Sequence, residues 1–379
     1  MDFQFNQEQE ELRQLARNFL AERSGPTQVR SAMQSPLGYD LETWRQIAVD
    51  LGWPSVRIPE AHGGLGLGHV DLAVLLEASG EALLCSPFFS TVALGINAIL
   101  EIGTDAQKTR WLPGFAVGTH TATLAFAETS GRWDEQGIET SVTLDGDGFI
   151  LDGKKCWVVD GHSADLLVVA ARSPGSAGEA GVSVFVIPGD APGLARKALT
   201  TMDQTRRLAE IEFSRVHAGP DALLGEFEMA WPGLRRSLDL AAIALAAEQL
   251  GGAQRCLDLT VAYAKQREQF GRPIGSFQAI KHKCADMFVA VETARSALYY
   301  AACIADDDSD DLTTNASLAK AWCGEAYFHC AAESIQIHGG VGFSWEYDPH
   351  LHFKRARASQ SWLGDANAHR ERIAKAIGL

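Results

Sequence analysis

Apolar residues near the start of the chain follow a helical repeat. Leu12, Leu15, Ala16 and Phe19 recur at the three- and four-residue spacing that lines one helix face. Asn6 stands where such a helix would be capped, and Gln9 three positions later completes a capping-box pattern. A turn-rich break from Ile58 to Gly66 interrupts the region, and Val70–Leu84 resumes as a buried helix. The texture changes near Thr121. Thr121–Ala127, Phe149–Leu151, Cys156–Val159, Leu166–Ala170 and Val182–Ile187 are short β-like runs, with Leu208–Val216 among the last. Glycine turns at Asp145–Gly148 and Asp152-Gly153 separate them, the punctuation of a small antiparallel barrel or sandwich. From Trp231 the pattern is helical again. Leu238–Gln266 is long and alanine-rich, with side chains small enough for close helix contacts. Ser276–Asp306, Leu318–His338 and Ala366–Ile377 follow. The run Asp306–Asp311 reads as a solvated acidic loop.

These elements predict an α+β chain in three parts: an N-terminal helical domain (1–120), a middle antiparallel β domain (121–230) and a C-terminal four-helix bundle (231–379). A length of 379 residues suits two or three compact units. The formal charge of -15 argues against general nucleic-acid binding, although an anionic ligand in a local basic pocket remains compatible with it. No window resembles a membrane span or a secretory leader. The seven cysteines form neither a CxxC pair nor a zinc pattern. Reduced thiols, no metal and a cytoplasmic location are therefore expected.

Two C-terminal segments carry candidate chemistry. The first is Arg267-Glu268-Gln269-Phe270-Gly271, at the end of a long helix. A guanidinium stays charged and matches paired phosphate oxygens, and the glycine lets backbone approach a ligand. Gln278 lies eleven residues on, at the start of the next helix, where free amides favour anions. The second segment couples Gln336 to Gly339, Gly340 and Gly342. A Schellman-type stop explains one of these glycines better than three. Together the two segments suggest a grip on a dinucleotide outside the Rossmann pattern. His338 beside them reads as a capping or core histidine. Trp157, inside a strand-like run, is a core residue or a platform for a flat ring system. Ala127–Gly131 is a strand-to-loop junction with free amides.

In their order along the chain these segments resemble the acyl-CoA dehydrogenase family of flavoproteins. Ile58–Gly66 is similar to the family's Pro-Glu…Gly-Gly-x-Gly turn, and Leu124–Ser130, with Phe126 and Ala127, falls where the family has a flavin loop. Lys155–Asp165 resembles its Lys-x-Trp-Ile-Thr-Asn-Gly strand, Arg267–Gly271 its Arg-x-x-Phe-Gly segment, and Gln336–Gly340 its Gln-x-x-Gly-Gly segment. The resemblance implies FAD, an α-β-α subunit and a dimer or tetramer. It implies that Arg267, Phe270, Gln278, Gln336, Gly339 and Gly340 grip the adenosine diphosphate half of an FAD belonging to a neighbouring subunit, and that Trp157 and Val159 lie against a flavin. It also implies α,β-dehydrogenation of an acyl-CoA thioester, with electrons passing to an electron-transfer flavoprotein.

The match fails where the reaction would occur. The family's usual glutamate base corresponds to Leu363, and the alternative position in the preceding helix corresponds to Ala241. Val159 replaces a threonine, Thr129 a proline, and Arg132-Trp133 small polar residues expected near the thioester. Glu248 and Asp365 are the candidate substitutes for the base. Glu248 reads first as a structural carboxylate in a polar network, and Asp365 first as a helix cap. The expectation is therefore one subunit of a heteromer with a second acyl-CoA dehydrogenase-like chain. The alternatives are a catalytically silent structural subunit and a flavin-dependent monooxygenase or oxidase on the same scaffold.

Overall fold

The computed structural model describes residues 5–307 and 309–379. Asp308, within the expected acidic loop, and the first four residues of the amphipathic opening lie outside them. In chain order the helices are α1 (Gln7–Arg23), α2 (Pro26–Gln34), α3 (Leu41–Arg45), α4 (His69–Glu81), α5 (Asn97–Ile102) and α6 (Asp105–Ala116). The strands are β1 (Ala122–Ala125), β2 (Ser141–Asp145), β3 (Gly148–Val159), β4 (Leu166–Arg172), β5 (Val182–Pro188), β6 (Leu194–Ala198), β7 (Leu208–Ala218) and β8 (Leu223–Leu224). Then come α7 (Trp231–Gln266), a short hairpin of β9 (Glu268–Gln269) and β10 (Arg272–Pro273), α8 (Gln278–Asp306), α9 (Leu312–His338), α10 (Pro349–Gln360) and α11 (Ala366–Ala376). Among the described residues no helix is long and apolar enough to cross a membrane.

Two compact units form. One gathers the chain up to Ser31, His69–Leu84 and Ala242–Leu379; the other gathers Ala32–Gly68 and Cys85–Ala241. In the first unit α1 and α4 pack with the C-terminal helices. The capping box is formed as expected: Asn6 Oδ1 accepts from Gln9 N–H at 2.8 Å, and Gln9 Oε1 accepts from Asn6 N–H at 3.2 Å. Glycines allow α4 and α7 to touch backbone to backbone. A Cβ at Gly80 would collide with the Glu248 carbonyl, and one at Gly251 with the Glu77 carbonyl. The acidic loop is more than solvated charge. Asp306 accepts from the backbone N–H groups of His69 (2.5 Å) and Val70 (3.2 Å), satisfying free donors at the start of α4.

The second unit is built on an eight-stranded sheet in the order β6-β7-β3-β2-β4-β5-β8, with β1 attached to β4. Most pairs are antiparallel, but β1 runs parallel to β4, with Leu124 opposite Val168. One face is filled by Leu151, Val158, Leu167, Phe185, Ile211 and Phe213. The expected turn at Asp152-Gly153 is instead the interior of β3. The chain passes through as a register shift against β7, and the glycine is needed because Thr140 backbone lies where a Cβ would go. A second shift, between Lys155 and Val158, reorients Trp157.

Acid sensitivity follows from the packing of the helical unit. His352 shares a 3.0 Å hydrogen bond with the Tyr327 hydroxyl, and His369 Nε2 donates to the Leu363 carbonyl at 2.9 Å. Burial first, then nearby cations (Arg255 and Arg355 for His352, Lys320 and Arg372 for His369), pushes both imidazoles down to about 3. An unfolded histidine titrates near 6.5. Between pH 6.5 and 3 the unfolded chain therefore takes up protons that the folded chain refuses, so stability falls as pH drops through that window. The urea midpoint is expected to decline from pH 7 to pH 5, and His369→Gln, which keeps a donor for Leu363, to flatten part of that slope. A flat wild-type profile would contradict this account.

Candidate functional site

In the β-sheet unit the candidate residues meet where β1 runs out beside β3. The second shift in β3 puts Trp157 in the left-handed region at φ 53°, a costly conformation for a bulky side chain. Its result is an indole that is 39% exposed between buried Cys156 and Val158. Val159, also buried, offers no hydroxyl. Phe126 and Ala127 continue β1 and are each only 1% exposed. Cys156 N–H donates to the Ala127 carbonyl at 2.8 Å, tying this segment to β3. Lys155 strengthens the tie from below. Its ammonium, fully buried, donates to Glu128 Oε1 at 2.6 Å and to the Phe126 carbonyl at 3.1 Å. Burial pulls the Lys155 pKa down, while Glu128 acts to raise it. Glu128 also accepts from Thr140 N–H at 2.8 Å.

In the helical unit the candidate residues are presented outward. The chain leaves α7 into a two-residue hairpin turn, Phe270-Gly271, with φ 54° and 76°. Phe270, left-handed as this turn requires, stands 92% exposed with an edge-to-face contact to Phe277, centroids 6.1 Å apart. Arg267 just before it, Gln278 at the start of α8 and Gln336 near the end of α9 are all exposed. None of their side chains hydrogen-bonds to another described residue. Gly339 ends α9 at φ 64°, and among the described residues no atom beyond the chain neighbours lies within 4 Å of where a Cβ would stand on Gly339, Gly340 or Gly271. Such an open glycine rim allows close approach by a ligand. His338 is a core histidine. It is buried, donates Nδ1–H to the Ser334 carbonyl at 2.7 Å, stacks on Tyr263 at 4.3 Å, and is held below its usual pKa by burial.

The remaining carboxylate candidates are otherwise engaged. Asp365 Oδ1 accepts from Ala368 N–H at 2.8 Å as the N-cap of α11. Glu248 is buried in α7 and lines a cavity of about 10 Å³ with Gln249, Tyr327, Arg355 and Ser359. That space holds one water at most. Ala241 is buried. Leu363 is 6% exposed and adopts φ 56°, followed by Gly364 at φ 97°. Two buried side chains hold this turn: His369 through the Leu363 carbonyl, and Lys320, whose ammonium donates to the carbonyls of Gln360 and Gly364 at 3.2 Å each. Sequence reasoning missed both. A lysine among the alanines of α9 was the available signal for Lys320. In the helical unit, then, Leu363 supplies only hydrocarbon, Asp365 caps α11, Glu248 is buried, and Arg267, Gln278 and Gln336 are exposed; in the β-sheet unit Trp157 stands part-exposed in a left-handed conformation.

Comparison with known proteins gives the class of this chain, an FAD-dependent oxidoreductase scaffold. Family models for the N-terminal, middle and C-terminal domains of acyl-CoA dehydrogenase match residues 6–119, 123–216 and 231–378. The acyl-CoA dehydrogenase IpdE2 of Mycobacterium tuberculosis is 35% identical over 94% of this chain and 93% of its own. Butyryl-CoA dehydrogenase from Megasphaera elsdenii superposes with a TM-score of 0.92 at 29% identity, covering all of both chains. A chain of the ChsE4-ChsE5 complex from Mycobacterium tuberculosis superposes at 0.89, with 28% identity, 100% of this chain and 99% of that one. The chain belongs to the acyl-CoA dehydrogenase family, whose members are FAD-binding oxidoreductases acting on CH–CH groups.

Proposed function

We propose that this chain is the base-deficient subunit of a heteromeric acyl-CoA dehydrogenase. It lends Arg267, Phe270, Gln278, Gln336, Gly339 and Gly340 to an FAD seated on a different, catalytic chain of the same family. There an acyl-CoA thioester undergoes α,β-dehydrogenation, and an electron-transfer flavoprotein takes the electrons. A cytoplasmic location and the three-part division 1–120, 121–230 and 231–379 belong to the same reading. One observation carries it: at the position that matches the family's usual base, the turn is left-handed and held by buried His369 and Lys320, yet its side chain is the hydrocarbon of Leu363. A leucine accepts no proton, Asp365 is engaged in its cap, and Glu248 is buried beside a space with room for one water at most. The side chains of Arg267, Gln278 and Gln336, by contrast, are exposed and hydrogen-bond to no other described residue, which suits a diphosphate arriving from outside. FAD bound there would accept the hydride from Cβ. This chain's own residues would supply charge and position for the diphosphate bridge.

Purifying the chain alone, and together with a family member that retains its glutamate base, tests the reading. Alone it is expected to turn over no acyl-CoA. In the pair, dehydrogenation and about one FAD per two chains are expected. Full flavin occupancy with turnover by this chain alone would overturn the proposal. Absence of flavin even in the pair would leave the silent structural subunit. Rapid oxygen uptake with an external flavin reductant would point to the monooxygenase or oxidase reading.

A further inference from the structure

We propose that Trp133 decides which chain of the assembly takes the flavin: stacked on Phe126, it holds the Ser130–Gln136 loop across this chain's own flavin platform. The inference rests on the heteromer reading and narrows it to one side chain. Trp157 matches the aromatic group that the family sets against the flavin, Phe126 lies in the segment matching its flavin loop, and one loop engages both. The indole of Trp133 lies flat on the Phe126 ring, centroids 5.6 Å apart and planes 8° from parallel. Such face-to-face overlap is what an isoalloxazine ring would offer, so Trp133 satisfies the platform from within the chain. Gly131, at φ 69°, passes so near Trp157 that a Cβ there would stand 3.8 Å from the six-membered ring.

The loop is held in this position by its own bonds. Arg132 binds Asp134 through Nε (2.8 Å) and a terminal nitrogen (2.5 Å), and reaches Gln136 at 3.0 Å. Gly131 N–H donates to the Glu128 carbonyl at 2.9 Å, and Arg172 donates to the carbonyls of Glu135 (2.5 Å) and Ile138 (3.1 Å). A flavin would have to displace the indole and strain this network, and it would find no hydroxyl at Val159 in return. The residues of the platform therefore do not fit the cofactor that the outward grip fits. A chain built this way serves a neighbour's FAD and excludes its own.

The test uses the full chain and FAD itself. Wild type alone is expected to retain little or no flavin through gel filtration. Trp133→Ser is expected to bind FAD at least about tenfold more tightly, and Trp133→Phe, which keeps a flat ring over Phe126, to behave as wild type. The proposal is overturned if wild type binds FAD as tightly as Trp133→Ser, or if Trp133→Ser, shown folded by near-UV circular dichroism, gains no affinity. Should Trp133→Ser fail to fold, Arg132→Gly, which cuts the tether and leaves the stack, is read by the same two criteria. Acyl-CoA dehydrogenation by wild type alone would sink the heteromer reading. Inactive wild type with no gain in the variants would sink only the role of Trp133.

Discussion

Lys155→Met is expected to cost the fold about 3–5 kcal/mol, the range for breaking one side of a buried ion pair. The methionine has nearly the same length and fills the space, so the loss is electrostatic rather than steric. It strands the Glu128 carboxylate, 3% exposed, with Thr140 N–H as its remaining bonded donor. It also leaves the Phe126 carbonyl without its side-chain donor. Desolvating an unpaired carboxylate is the dominant penalty. The double variant Lys155→Met with Glu128→Gln removes that charge while keeping an oxygen for Thr140, and is expected to recover much of the loss. Urea unfolding of the single and double variants measures both terms. A single variant within about 1 kcal/mol of wild type, well below the buried-pair range, would show that the ammonium is not what fixes this segment. The functional consequence is local: the same pair ties the segment under Trp133 to the strand that carries Trp157.

What the sequence disclosed, and what it withheld, follows from the range of the interactions. The capping box at Asn6 and Gln9, the cap at Asp365 and the core role of His338 are decided within a few residues, and each was legible. Family membership was legible for the same reason, since Arg267-x-x-Phe-Gly and Gln336-x-x-Gly-Gly are local patterns. Helix α10 was not expected at all. Its sequence is polar, yet His350, His352, Arg355 and Ser359 are buried in it. Hydropathy cannot see a buried face on which polar groups meet distant partners, as His352 meets Tyr327 and Ser359 meets Gln249. Asp152-Gly153 misled in the opposite direction, because a glycine that permits a bulge has the signature of one that permits a turn. The supports of the Leu363 turn reach across more than forty positions from Lys320, and the Phe126–Trp133 stack depends on a folded loop. Neither leaves a periodic trace. Chain order also hid the fact that α1 and α4 pack with helices from the far end of the sequence.

Arg267→Ala is the substitution expected to separate binding from folding most cleanly. In the heteromer, flavin affinity should fall about 10- to 100-fold, the scale of a charge-assisted contact to a diphosphate. The melting temperature of the isolated chain should scarcely change, because an exposed guanidinium without partners contributes little to the folded state. Arg267→Lys distinguishes charge from shape: an ammonium keeps the attraction but loses the paired donors, so partial recovery of affinity is expected. Retained flavin is read from visible absorbance after gel filtration, and stability from thermal unfolding of the same samples. The geometry makes the effect asymmetric across the assembly. If the diphosphate is gripped in trans, Arg267→Ala in this chain empties the partner's site, while an equivalent change in the partner leaves that site filled. A heteromer that keeps its full flavin when Arg267 is alanine here, and loses it when the partner's own arginine is changed, would mean that the grip works within each chain, and the shared-cofactor reading would fall with it.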